Sequence, residues 1–204
     1  MSNIIVYTQR VEIIESYNER RDCADQRIAD FLSYCGFIPI PLPNNPIIVD
    51  KIINIINPCG IVLTGGNSLV KYGGNAPEKD ETDKKLISIA IDKNIPLLGF
   101  CRGMQSILDY FGDELVKVDG HVAIKHMIIN EHNESRLVNS YHNYACINNT
   151  SKLIKPLFKT NDGVIETIKH IKYPLIGIMW HPEREANYSK EDIELFKDLF
   201  GGKQ

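Results

Sequence analysis

Pro96 to Gly112 reads PLLGFCRGMQSILDYFG. The apolar run IPLLGF has strand character, breaks at Gly99-Phe100-Cys101-Arg102-Gly103, and resumes at helical spacing in GMQSILDYFG. A buried strand that turns into a helix with almost no loop marks a βα corner, the repeating unit of a parallel sheet. Outward from that corner the alternation repeats. NIIVYT reads as a strand, DCADQRIADFLSYCG as a helix closing at Gly36, FIPIPLP as a short extended piece and IIVDKIINII as a helix. GIVLTGG is a strand ending in a glycine pair, and DETDKKLISIAIDKN is a helix with an acidic start. From ELVKVDG onward the pattern changes. KHMIIN, RLVNSYH, LIKPLFKT and GVIETIKH read as short, partly antiparallel strands, before the buried strand YPLIGIMW, the turn HPERE and the helix SKEDIELFKDLF. The expected fold is α/β: an open, doubly wound, mostly parallel sheet with helices on both faces and short antiparallel strands in the C-terminal half. With 204 residues and no internal repeat or linker, a single domain over 1–204 is expected.

A formal charge of −3 offers no bulk attraction to nucleic acid or to an anionic membrane, so neither partner is expected. No segment approaches the roughly 18 apolar residues of a membrane span, and MSNIIVYTQR has no basic leader, which predicts a cytoplasmic protein. The five cysteines (Cys23, Cys35, Cys59, Cys101 and Cys146) are odd in number and lack Cys-x-x-Cys spacing, which indicates neither a disulfide framework nor a zinc site. Cys23, Cys35, Cys59 and Cys146 receive no role.

Cys101 differs from the other four. Glycines at minus two and plus two give the spacing of a nucleophile elbow, the tight strand-to-helix turn that lifts its central side chain to the carboxyl edge of a sheet. The start of the following helix favours thiolate over thiol. An ordinary βα turn holding a buried cysteine has the same spacing, so a second feature is needed, and MWHPERE supplies it. His181 directly follows the last apolar strand and should emerge at the same edge, with Glu183 two residues on to orient it. His121, His126, His132, His142 and His170 compete as bases, but only His142 also follows an apolar strand beside a pocket. The third feature is Gly65-Gly66. A glycine pair can aim backbone N–H groups at an oxyanion, with the N–H of Arg102 as the second donor.

In this order, LTGG, GFCRGMQ and WHPE resemble the class I glutamine amidotransferase family over about residues 4 to 200. The resemblance implies a flavodoxin-like fold with Cys101 as nucleophile, His181 as base, Glu183 as its orienter and Gly66 with Arg102 as oxyanion donors. It also implies that Gly65, Gln105, His142 and the backbone around Ser140 and Tyr141 hold the glutamyl group, and that no metal or organic cofactor takes part. CRGMQ, VNSYHN, DGVIE and WHPE are more similar to the stand-alone γ-glutamyl hydrolases, which split a γ-glutamyl amide with water, than to synthase-linked glutaminases. Tyr144 departs from the glutamine common there, which bears on leaving-group preference. The opening TQRVEIIESYNERRDCADQR resembles amidotransferase-like proteins found with capsule-modifying genes. That implies γ-glutamyl-CDP-amidate as substrate and cytidine diphosphoramidate as product, with Arg10, Arg20 and Arg21, around a loop leaving the first strand, as phosphate contacts. The same arginines could instead pair on the surface with Glu12, Glu15, Glu19 or Asp22. Two other functions stay open: a glutaminase subunit that passes ammonia to a separate synthetase, and a non-catalytic binding protein.

Overall fold

The computed structural model describes residues 2–201. Strand β1 (Ile4–Tyr7) is followed by β2 (Arg10–Ile14), β3 (Glu19–Cys23), helix α1 (Gln26–Tyr34), β4 (Ile38–Pro41), α2 (Pro46–Ile56), β5 (Gly60–Leu63), α3 (Pro77–Lys93), β6 (Leu97–Phe100) and α4 (Arg102–Tyr110). The second half holds β7 (Val116–Lys117), β8 (Val122–Asn130), β9 (Ser135–Tyr141), β10 (Tyr144–Ala145), β11 (Ile154–Lys159), β12 (Ile165–His170), β13 (Leu175–Ile178) and α5 (Lys190–Phe200). The main sheet runs β4-β1-β5-β6-β13-β12-β11-β8-β9. Its first five strands are parallel and the pairs from β13/β12 to β8/β9 are antiparallel, as the change of pattern after Leu115 predicts.

Alternation along the parallel strands builds a core on each face, because successive side chains point to opposite sides. Val6, Ile61, Leu63 and Leu97 meet Val49 and Ile53 of α2, Leu86 and Ala90 of α3 and Met104 of α4. Their neighbours Ile5, Val62, Leu98 and Ile178 meet Phe31 and Leu32 of α1 and Phe196 and Phe200 of α5. Local chemistry sets the helix ends. Asp25, Asn45 and Ser189 accept backbone N–H groups at the starts of α1, α2 and α5, and Gly36 takes the left-handed turn after α1 at φ 97°. Pro39 and Pro41 are tolerated in β4 because it is an edge strand.

The structure corrects one expectation. Residues 10–23 are not a loop but an antiparallel hairpin of β2 and β3, closed through a 3-10 turn at Glu15–Tyr17 and a left-handed Asn18. Val11 is its one buried residue, so no apolar alternation marks these strands. Among the described residues no helix is long and apolar enough to cross a membrane.

Candidate active site

The carboxyl ends of β1, β5, β6 and β13 converge on one cleft. At the end of β6, Cys101 adopts φ 51° and ψ −113°, outside the ordinary regions for an L-residue, and its N–H donates to Ile178 O at 2.8 Å. The flanking glycines make this corner possible. A Cβ at Gly99 would lie 2.5 Å from the Gly103 carbonyl, and one at Gly103 would lie 2.0 Å from Leu63 O, so helix and strands could not close together. The strained backbone excludes an ordinary βα turn and holds the Cys101 side chain at the head of α4. Arg102 is the first residue of that helix, so its N–H has no intrahelical acceptor.

His181 follows β13 and is buried beside the corner, with Nδ1 2.7 Å from Glu183 Oε1 and its ring and the Cys101 side chain both facing Gly65. Asn139 of β9 grips the His181 backbone from both sides: its Nδ2 donates to His181 O at 2.8 Å and its Oδ1 accepts His181 N–H at 2.9 Å. The Phe100 and Tyr141 rings pack against the imidazole with centroids at 5.5 and 5.7 Å. Burial by itself lowers the affinity of the imidazole for its proton, but the charge and hydrogen bonds of Cys101 and Glu183 outweigh it and raise the pKa to about 9. The fold therefore favours imidazolium.

Gly66 lies at φ 134°, and a Cβ there would come within 2.5 Å of the Arg10 Cβ; one at Gly65 would come within 2.9 Å of His181 Cε1. A side chain at Gly65 would close the space before the Cys101–His181 pair, and one at Gly66 would displace the hairpin at Arg10. Arg10, Gly66, Cys101, Tyr141, His181 and Arg184 line the cleft. The Arg184 guanidinium sits 4.4 Å from the centre of the Tyr141 ring, and Arg10 is paired with Glu12.

Other anticipated residues sit differently. Gln105 is buried and donates to Tyr144 O at 2.8 Å, and the Ser140 hydroxyl donates to His121 O at 2.7 Å. His142 is not a cleft residue: it is buried with Nε2 3.2 Å from Glu166 Oε1. Arg20 and Arg21 are not brought to the cleft either. Arg20 is held by Glu78 and Asn75 O, and Arg21 by Glu19 and Tyr17. Charges alternate along an exposed hairpin, and each of these two finds a partner there or on the adjacent α3. Sequence reading missed Asn139 and Arg184, though Asn139 lies within VNSYHN and Arg184 is the first cation after Glu183. All five cysteines are free thiols, with burial pushing Cys35 and Cys146 up to about 11.

The chain is 32% identical to the γ-glutamyl-CDP-amidate hydrolase of Campylobacter jejuni over 95% of both chains, and 24% identical to the γ-glutamyl-γ-aminobutyrate hydrolase of Escherichia coli O157:H7 over 87% of this chain and 83% of that one. A solved structure from Thermoplasma acidophilum, ascribed to one component of a GMP synthase, superposes with a TM-score of 0.72 at 21% identity and covers 97% of this chain and 92% of its own. The sequence profile described as "Glutamine amidotransferase class-I" matches residues 22–200, a span that holds the elbow, the glycine pair and the His-Pro-Glu turn, and the chain belongs to that family.

Proposed function

We propose that this chain is a cysteine hydrolase that converts a γ-glutamyl amide to L-glutamate, and that the amide nitrogen carries a CDP group. The observation that carries the first part is Cys101, held on a strained corner against a His181 whose other nitrogen is bound by Glu183. The name of the C. jejuni relative supports the second part.

In this reading the Cys101 thiolate attacks the γ-carbonyl carbon and the carbonyl electrons move to oxygen, which rests on the N–H groups of Gly66 and Arg102. The intermediate collapses and the C–N bond breaks as His181 gives its proton to the departing nitrogen, leaving a glutamyl thioester. Neutral His181 then takes a proton from water, whose oxygen attacks the thioester and restores the thiolate. Glu183 holds the imidazole in the tautomer that serves both steps. Arg10 and Arg184, at the mouth of the cleft, supply planar multi-donor heads for the diphosphate of the leaving group. A nucleotide substrate and a thiolate nucleophile both suit a reducing cytoplasm, and cytidine diphosphoramidate is the product that capsule modification would consume.

The test is glutamate release by the purified chain from L-glutamine, from simple γ-glutamyl amides, and from amides bearing phosphate or CDP on nitrogen. We expect the CDP amide to be preferred. The Arg10→Ala variant should raise KM for it about 10- to 100-fold, the value of a charge-assisted hydrogen bond, and leave L-glutamine turnover nearly unchanged. Equal loss on both substrates would remove Arg10 from leaving-group recognition.

His181 also predicts a pH profile. Its folded pKa lies above the ordinary 6.5, so its stabilising contribution is complete below about pH 6.5 and is lost as pH rises through about 9. The imidazolium that protonates the leaving nitrogen is lost over the same range. The kcat/KM should therefore fall above about pH 9, and in Cys101→Ala, which lacks the raising partner, the His181 proton resonance should titrate at lower pH. An unchanged titration midpoint would separate His181 from Cys101.

A second reading has one specific observation behind it. The chain is 28% identical to the corresponding component of a glutamine-hydrolysing GMP synthase from Pyrococcus abyssi, over 82% of this chain and 87% of that one. A glutaminase of that kind would be nearly idle on every amide until its synthetase partner was added.

A further inference from the structure

Four titratable side chains meet in the antiparallel half of the sheet. His121 and His142 are buried, Glu166 on β12 is fully buried, and the His126 side chain on β8 is 14% exposed. Glu166 Oε1 lies 3.4 Å from His126 Nε2 and 3.8 Å from His121 Nδ1, and these three atoms all fall within 4.8 Å of one another. His121 Nδ1, His126 Nε2 and Glu166 Oε2 have no hydrogen-bond partner, which is costly for buried polar atoms. Tetrahedral zinc with ligand bonds of about 2.0–2.1 Å would set its donor atoms about 3.4 Å apart, which the 3.4 Å Glu166–His126 pair matches and the 3.8 Å Glu166–His121 pair reaches with a small side-chain shift.

The surrounding groups are arranged as outer partners of metal ligands. His121 Nε2 lies 2.9 Å from Asp162 Oδ2, so Nε2–H donates to this carboxylate and the Nδ1 lone pair is left facing Glu166 and His126. His142 Nε2, 3.2 Å from Glu166 Oε1, supplies the hydrogen bond that ligating carboxylates receive. We propose that His121, His126 and Glu166 form a binding site for a zinc-class divalent cation, with a fourth position for water. Two imidazoles and one carboxylate suit such an ion better than the oxygen-preferring Mg²⁺ or Ca²⁺.

The site does not depend on the proposed reaction, and no step at Cys101 passes through it. Its effect is on shape. β8 and β12 do not pair, because β11 lies between them, so the ion ties two separated strands together. Val122 at the start of β8 and Tyr141 at the end of β9 pair with each other and line the catalytic cleft, so the ion holds one wall of that cleft.

The test uses tag-free full-length chain in the Cys101→Ala background, which removes the competing thiolate, stripped with chelator and titrated with Zn²⁺ or Co²⁺. One equivalent of zinc should bind and raise Tm, and Co²⁺ should give the visible absorption of a low-symmetry, four-coordinate ion. Asp162→Asn should weaken binding about 10- to 100-fold, and His126→Ala, at a partly exposed position, should weaken it more while keeping the metal-free Tm close to that of the parent. Absence of saturable binding by the parent, or zinc affinity unchanged in His126→Ala, would overturn the assignment.

Discussion

Cys101→Ala should lower glutamate release by roughly 10⁴- to 10⁶-fold, the loss seen when a covalent nucleophile is removed, with little change in melting temperature. The side chain leaves, but the corner is set by Gly99, Gly103 and the pairing of β6 with β13, none of which the substitution touches. Glu183→Gln should cost less, about 10⁴-fold at most, because the thiol remains and only the orientation and charge support of His181 are lost. Iodoacetamide provides an independent readout. It should modify Cys101 far faster than Cys35 or Cys146, whose thiols burial holds at about 11. Retained turnover in Cys101→Ala would sink the hydrolase mechanism, and sluggish alkylation of Cys101 would revive the non-catalytic alternative.

Arg102→Met should destabilise the protein by about 3–5 kcal/mol, the cost of leaving one partner of a buried ion pair alone. Arg102 is 1% exposed and its side chain is held between Asp80 and Asp83, with Nη1 donating to Ser106 Oγ at 2.7 Å. Burial pushes the guanidinium down to about 10, opposed mainly by the charge and hydrogen bond of Asp80, so it stays charged at neutral pH. Lys79 does not replace it. It is fully buried, 3.7 Å from Asp83, and both its burial and the nearby Arg102 charge push its pKa well down. For a chain of this size the loss corresponds to a Tm lowered by about 6–20 °C. Since the proposed oxyanion donor is the backbone N–H of residue 102, turnover at low temperature should persist. Arg102→Met combined with Asp83→Leu should recover most of the stability, and a single variant melting within about 2 °C of the parent would refute this account.

That Cys101, His181 and Glu183 come together was readable from sequence because the parts of this arrangement are local. Gly-x-Cys-x-Gly and His-x-Glu each act within five residues, and the strands before them are apolar enough to mark where they emerge. Long-range pairing was much less legible. Lys79 and Asp83 stand at the charged start of α3, and their burial follows from partners far along the chain: Thr8 accepts from Lys79 and Arg102 of α4 pairs with Asp83. His142 follows a strand as His181 does, yet the register of β9 buries it against Glu166 instead of presenting it to the cleft. The hairpin was hidden for a different reason: its strands bury so little that alternation carried no signal.

That hairpin pairs only with itself, and it enters the chain between β1 and α1 without taking a place in the main sheet. Polar tethers hold it down, among them Val11 to Asn67, Asp22 to Asn44 and Arg20 to Glu78. It is therefore a detachable cassette. Its length and charge can be rewritten, or another hairpin grafted between Thr8 and Asp25, with the two cores and the Cys101 corner left intact. On the proposed reading the hairpin's Arg10 shares the choice of amine with Arg184 from the turn after β13, so rewriting the hairpin would retune one half of that choice and leave the other anchored beside Glu183.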